Sequence, residues 1–357
     1  MKRNKRTTSR TRRCRAAYPL AMMLCAATLA LTPAAVLHAE TQHGSERVDF
    51  VEITPQARDV IERGMRYLAA QQSSEGSWGM SDGPTADGHV AITSLACIAF
   101  MADGHVPGRG RYGENVQRGL DYVLRHCTES GLIATPTGGS PMYGHGFATL
   151  FLGEIYGMTG DPKVRDALIK AVRLIVNSQN SEGGWRYQPV PVDADLSVTI
   201  CQVMALRSAR NAGIAVPKET IDRAIQYVKQ SQNASDGGFR YMLNGGGSGY
   251  ARTAAGVASL QYAGIYQDDA IERGLKYLLD HNQDSTYYFY GQYYTAQAMF
   301  LAGGDYWRQW YPDAREELLG RQASNGAWSG GHGSSYCTAM SLIVLQVPNR
   351  LLPIFQR

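Results

Sequence analysis

Two histidines and two aspartates stand where chemistry is most easily built: His89, His145, Asp193 and Asp195, each just ahead of, or at the start of, an apolar stretch. An aspartate can serve as a general acid if burial or a like-charged neighbour keeps its proton on at working pH. Asp193 could supply that charge to Asp195, although a spacing of two does not fix which way it turns. Asp195 equally suits a helix N-cap before Ser197, a position where Asp contributes about 1 kcal/mol. His89 and His145 equally suit satisfied polar positions at helix starts. Two imidazoles and a carboxylate with an open position also make a ligand set for zinc or iron. No CxxC or HExxH pattern accompanies them. The run Asn244-Gly245-Gly246-Gly247-Ser248-Gly249 reads as a rim or lid, because no Gly-Lys-Ser/Thr follows it as a phosphate loop would require.

The elements that must position these residues repeat along the chain. Six segments read as half-buried helices: 64–68, 119–123, 171–175, 224–228, 274–278 and 314–318. Most place apolar residues at i, i+3 and i+4, the pattern of one buried helix face. A turn follows each. Three turns read Gln-x-x-x-Gly-x-Trp, at Gln72–Trp78, Gln179–Trp185 and Gln322–Trp328. Gln232–Phe239 has one extra residue and Phe for Trp, Cys127–Ile133 keeps only Gly131, and the turn after Asn282 has become Tyr-rich. The glycine lets the backbone reverse, and the aromatic can plug the gap between repeats. A second helix follows each turn, apolar nearly all round and therefore buried. All six of these share a threonine: Thr93, Thr149, Thr199, Thr253, Thr295 and Thr338. Aligned on it, the residues four places earlier are His89, His145, Asp195, Gly249, Gly291 and Ser334, which predicts His, His and Asp at one level of an inner ring. Six helix pairs predict an all-α molecule with an inner and an outer ring, over residues 55–345. Residues 40–54 read as a linker and 346–357 as a C-terminal tail.

Composition narrows the function. The 357 residues carry a formal charge of +4, but eight basic and no acidic side chains fall in residues 1–39. The remainder holds 27 basic against 31 acidic residues, or −4, which is not the footprint of a nucleic-acid binder. Residues 1–39 read as an export signal: a basic start, an apolar run from Ala16 to Leu37, and Leu37-His38-Ala39 as a cleavage site before Glu40. Retained, the same run would just span a bilayer as an anchor. The mature protein is thus expected in the periplasm or outside the cell, with peripheral membrane contact in reach. Cys97, Cys127, Cys201 and Cys337 are scattered over predicted helices and read as buried thiols rather than disulfides.

Gln-x-x-x-Gly-x-Trp turns between paired helices resemble the repeats of the squalene-hopene cyclase and protein prenyltransferase β-subunit superfamily, over nearly the whole mature chain. The resemblance implies an α6/α6 toroid of one domain. Asp193-Ala194-Asp195-Leu196 is similar to the Asp-x-Asp-Asp motif of class II terpene cyclases, in which the middle Asp protonates an alkene or epoxide; here it maps to Asp195, and Leu196 stands where the last Asp would be. On that resemblance Asp195 is the candidate acid, with Asp193, His145 and His89 as neighbours that orient it or hold its proton. Tyr250, Tyr293, Tyr294, Tyr336 and Trp185 are candidate walls of a cavity for an apolar isoprenoid or lipid-like ligand. The prenyltransferases bind zinc near their inner-helix starts, but their Asp-x-Cys pair is not found here. Two other functions fit the same fold: a non-catalytic toroid that binds a ligand or protein, and a glycan-active toroid enzyme, which requires paired carboxylates at a suitable separation.

Overall fold

Among the described residues, twelve α-helices alternate between two environments along the chain. In chain order they are α1 (Pro55–Gln71), α2 (Val90–Ala102), α3 (Gly113–Arg125), α4 (Pro141–Thr159), α5 (Pro162–Ser178), α6 (Leu196–Asn211), α7 (Lys218–Ser231), α8 (Tyr250–Tyr262), α9 (Asp269–Asp280), α10 (Tyr288–Ala302), α11 (Gly304–Arg321) and α12 (Ser334–Gln346). Every residue of α2 is buried, whereas α3 buries one face through Val116, Leu120 and Val123 and exposes the other. That difference follows from the sequences: a helix apolar all round must be surrounded, and a helix with one apolar stripe must lie outside. The computed structural model describes residues 52–356 apart from 82, 84–86, 137–138 and 282–286. The expected export signal, most of the 40–54 linker and the start of the fifth turn lie outside the described residues. No helix among the described residues is long and apolar enough to cross a membrane.

The even-numbered helices pack in sequence, α2 on α4, α4 on α6, and so on to α12, which packs back on α2. They form a closed inner ring, and the odd-numbered helices surround it. The fold is an α6/α6 toroid. Among the described residues there are no strands, only isolated bridges such as Trp185 with Asp195. The final repeat is shorter because Gly303 alone separates α10 from α11.

The turn motif welds each repeat to the next. Gln179 Nε2 donates to the Gly183 carbonyl of its own turn at 2.8 Å and to Thr220 at the start of α7 at 2.9 Å. Gln72, Gln232 and Gln322 make the same pair of bonds, and Gln322 reaches back to Val60 in α1, which closes the outer ring. Gly183 has φ +99°, and a Cβ there would lie 2.3 Å from the Arg223 carbonyl oxygen, so both conformation and space require glycine. Trp185 Nε1 donates to the Ile175 carbonyl at 2.7 Å, as Trp78 and Trp328 do to Leu68 and Leu318.

The C-terminal residues are not a free tail. Two short 3-10 turns, Val347–Asn349 and Pro353–Phe355, bury Val347, Leu352, Ile354 and Phe355 and contact α6 and α10. Asn349 Nδ2 donates to the Ala102 carbonyl at the C-terminus of α2, and the Ile354 N–H donates to Glu154 near the C-terminus of α4. The tail therefore stoppers one end of the inner ring.

Candidate functional site

The inner helices all present their N-termini to the opposite end, where a cavity of about 1080 Å³ opens. Its position follows from helix geometry. Four of the six threonines of the inner ring point outward: Thr93, Thr199, Thr253 and Thr338 accept the backbone N–H of Trp78, Trp185, Phe239 and Trp328 at 2.9–3.1 Å. At about 100° per residue, the position two before the threonine falls on the far side of the helix. Those residues face the cavity: Ala91, Phe147, Ser197, Ala251 and Tyr336. The sixth, Tyr293, lies fully buried beneath them, edge-on to Phe147.

The register of four corrects accordingly. Four residues is about 400°, which returns the side chain to within about 40° of the threonine. His145 shows the result. Its Nδ1 accepts the Ile133 N–H at 3.2 Å and its Nε2 donates to the Ala171 carbonyl at 3.2 Å. In this repeat the turn aromatic is replaced by Ile133, and Thr149 Oγ1 has no partner. His145 has thus taken over the threonine's task of accepting the turn N–H. It is fully buried, burial pushes its pKa down to about 4, and it faces the outer helix α5 rather than the cavity. It neither orients Asp195 nor shares a metal site with it. Among the described residues no three His, Cys, Asp or Glu side chains come together as a metal cluster.

His89 is the N-cap of α2, its Nδ1 accepting the Ala91 N–H at 3.2 Å, and it also lines the cavity. That bond fixes the proton of the neutral ring on Nε2, and burial lowers its pKa. Asp195 is the N-cap of α6 and is fully buried. Its Oδ1 accepts from the Val198 N–H at 2.9 Å and from Ser197 Oγ at 2.7 Å. Oδ2 makes no hydrogen bond of normal geometry; Arg186 Nε, 3.7 Å away, and the Tyr241 hydroxyl act on it. Burial raises the Asp195 pKa, against the opposing pull of these donors. Asp195 does not line the cavity itself. It is joined to it through Ser197, whose Oγ accepts from Tyr143 OH at 2.8 Å. Asp193 turns the other way, half exposed and paired with Arg186. It is not the like-charged neighbour of Asp195 but part of a shared cationic clasp.

The aromatic expectations divide. Tyr250 and Tyr336 line the cavity. Tyr293 and Tyr294 do not; they pack in the core, where the Tyr294 hydroxyl meets Cys201 Sγ at 3.4 Å. Trp185 is a buried plug between repeats. The wall that sequence reasoning missed is Tyr143, Tyr187, Phe147, Ser197 and Arg252; Tyr241 and Tyr290 line the cavity beside them. Tyr290 crosses the ring to donate to the Ser197 carbonyl at 3.0 Å, and the hydroxyls of Tyr187 and Tyr241 are hydrogen-bonded to each other. The inward register two before the threonine would have found Phe147 and Ser197. None of the four cysteines among the described residues forms a disulfide; Cys127 is half-buried and the other three are buried.

No family model matches the chain, and no curated protein matches it. Solved structures do. The type II terpene cyclase MstE from Scytonema, with geranylgeranyl dihydroxybenzoate bound, is 16% identical over 83% of this chain and 98% of that chain, with a TM-score of 0.57. The α-1,6-mannanase GH76A of Salegentibacter sp. HEL1_6 is 9% identical over 83% and 99%, with a TM-score of 0.63. A D-mannose isomerase is 15% identical over 83% and 98%, with a TM-score of 0.60. The class defined is the α/α toroid, with terpene cyclase and glycan-active proteins alike among its members. At these identities the likeness carries the fold, and the reading of function has to come from the cavity.

Proposed function

We propose that the toroid binds an elongated, mainly apolar small molecule, isoprenoid or lipid-like, in its tyrosine-walled mouth. The observation that carries this is the wall itself: Tyr143, Tyr187, Tyr241, Tyr250, Tyr290 and Tyr336 with Phe147 and Ile92 around about 1080 Å³, room for a large small molecule. Aromatic faces can pack along an unsaturated or aliphatic chain and stabilise positive charge on it. Asp87 is the one carboxylate in the described lining, so the lining does not offer the carboxylate pair of a glycoside hydrolase. The test is thermal unfolding with farnesol and with a mannose oligosaccharide. Farnesol is expected to raise Tm in the wild type and not in Ala251→Trp, which fills the mouth. Stabilisation by the oligosaccharide and none by farnesol would overturn the reading.

Asp195 supports a second, catalytic reading of the same cavity. Buried and raised in pKa, it retains a proton to higher pH than a surface aspartate does. With Asp195 protonated, the Ser197 and Tyr143 hydroxyls turn from donating toward Asp195 to donating toward the cavity; the Oδ1–H proton then passes to Ser197 Oγ, the Ser197 proton to the Tyr143 oxygen and the Tyr143 proton to an alkene carbon in the cavity. A carboxylate remains at Asp195, held by the Val198 N–H, and a carbocation remains against tyrosine faces. Turnover of an isoprenoid would then vanish in Asp195→Asn and in Tyr143→Phe while binding persists. Unchanged turnover in Asp195→Asn would remove this reading and leave the binding role. We also take the protein to be exported, on the composition of residues 1–39; an N-terminus at Glu40 in the purified protein is the check.

A further inference from the structure

Among the described residues of the lining, one guanidinium forms no ion pair. Arg252, on the first turn of α8, lines the mouth, and no carboxylate among the described residues forms an ion pair with it. Its Nη2 donates to the carbonyls of Gly247 and Ser248, both at 3.2 Å, which fixes the guanidinium against the glycine-rich rim. Its Nε is buried and has no hydrogen-bond partner. A Cβ at Gly249 would lie 2.5 Å from Nη2, so the glycine is what leaves the guanidinium its place. Asp87, the one carboxylate of the described lining, is exposed and makes no ion pair with Arg252. A buried donor on a charged group is costly to leave unpaired, and a guanidinium matches a planar oxyanion in geometry as well as in charge.

We propose that Arg252 receives the carboxylate of an amphipathic acid whose apolar body lies against Phe147, Tyr143 and Tyr290. This rests on the reading of the cavity as an apolar-ligand site and adds its head group. A single unpaired guanidinium facing a rim that already carries Asp87 balances one negative charge. It does not balance the several charges of a diphosphate.

The experiment is calorimetric titration of the full chain with decanoic acid and with decan-1-ol at pH 7.5, where the acid is ionised. The wild type is expected to bind the acid about tenfold more tightly, with a preference that shrinks as salt is raised. Arg252→Gln should bring that ratio close to one, and Arg252→Lys should keep part of it, with circular dichroism showing both variants folded. Equal affinities in the wild type, or a preference that survives Arg252→Gln, would overturn the carboxylate assignment and leave the apolar site standing. Failure of both probes to bind would overturn the assignment and the apolar site together.

Discussion

The threonines of the inner ring give the clearest test of what one hydroxyl does. Thr199 Oγ1 accepts the buried Trp185 N–H, whereas Thr149 and Thr295 Oγ1 are buried without a partner. Thr199→Val should therefore cost about 1–3 kcal/mol in urea unfolding, and Thr149→Val close to nothing. His145→Leu, which orphans the Ile133 N–H and removes the second bond to the Ala171 carbonyl, should cost about 2–3 kcal/mol. Equal costs at Thr149 and Thr199 would show that His145 has not replaced the threonine. Glu154 makes a pH prediction. Its carboxyl is buried near the C-terminal end of α4, accepts from Ser208 Oγ at 2.7 Å and from the Ile354 N–H at 3.3 Å, and burial pushes its pKa up to about 7. A folded pKa above the unfolded one means stability that is complete below about pH 4.5 and is lost as pH rises through 7. The difference between wild type and Glu154→Gln should accordingly change by roughly 3 kcal/mol between pH 5 and 9. A flat difference curve would mean that the carboxyl is not held protonated. His145 acts in the opposite sense: its stability is present above about pH 6.5 and lost as pH falls toward 4.

At the scale of the element, the turn between outer and inner helix is the unit of construction. Its glutamine, glycine and aromatic each bond or abut something outside the turn, so the motif is a joint and not only a reversal. Two glycines with positive φ separate these effects. Gly160 caps α4 at φ +67° with open space around it, while Gly183 at φ +99° is pressed against Arg223. Gly160→Ala should cost about 1 kcal/mol, the conformational cost alone. Gly183→Ala should cost several times as much, because α7 must also move away; comparable denaturation midpoints for the two would contradict the joint. The turns also explain the rim. Past Trp185 the chain places the Tyr187 carbonyl on the Met142 N–H, and past Phe239 it places the Tyr241 carbonyl on the Leu196 N–H. Each connection thus caps the N-terminus of the preceding inner helix and delivers a tyrosine to the mouth.

For the whole molecule, closure is the property that matters. Gln322 to Val60 and Gln346 to Ala99 join the last repeat to the first, and the C-terminal turns seal the end opposite the cavity. Deleting residues 347–357 should expose the α6 and α10 surfaces under Leu352, Ile354 and Phe355 and strip the Ile354 N–H from Glu154. The expected outcome is a Tm lower by several degrees with new binding of a hydrophobic dye; an unchanged Tm would mean that the stopper is dispensable. Because the inner helices run the same way, only one end of the ring is left open, and its helix N-termini give that end a positive potential.

The repeat, its six copies and the all-α toroid were legible in the sequence, because glycine, aromatic and apolar period report local backbone needs that the fold obeys. Asp195 as an N-cap was legible for the same reason. The walls of the cavity were not. Which face of an inner helix points inward depends on where its threonine is bonded, and that bond goes to an N–H fourteen or fifteen residues away in the intact early turns. A register chosen four residues from the threonine therefore mixed environments: His145 turns to the outer helix, whereas His89 and Gly249 reach the cavity. Tyr293 and Tyr336 occupy equivalent positions, yet one is core and the other wall. Direction and depth within a ring are set by the neighbours on both sides, and only the closed tertiary structure contains them.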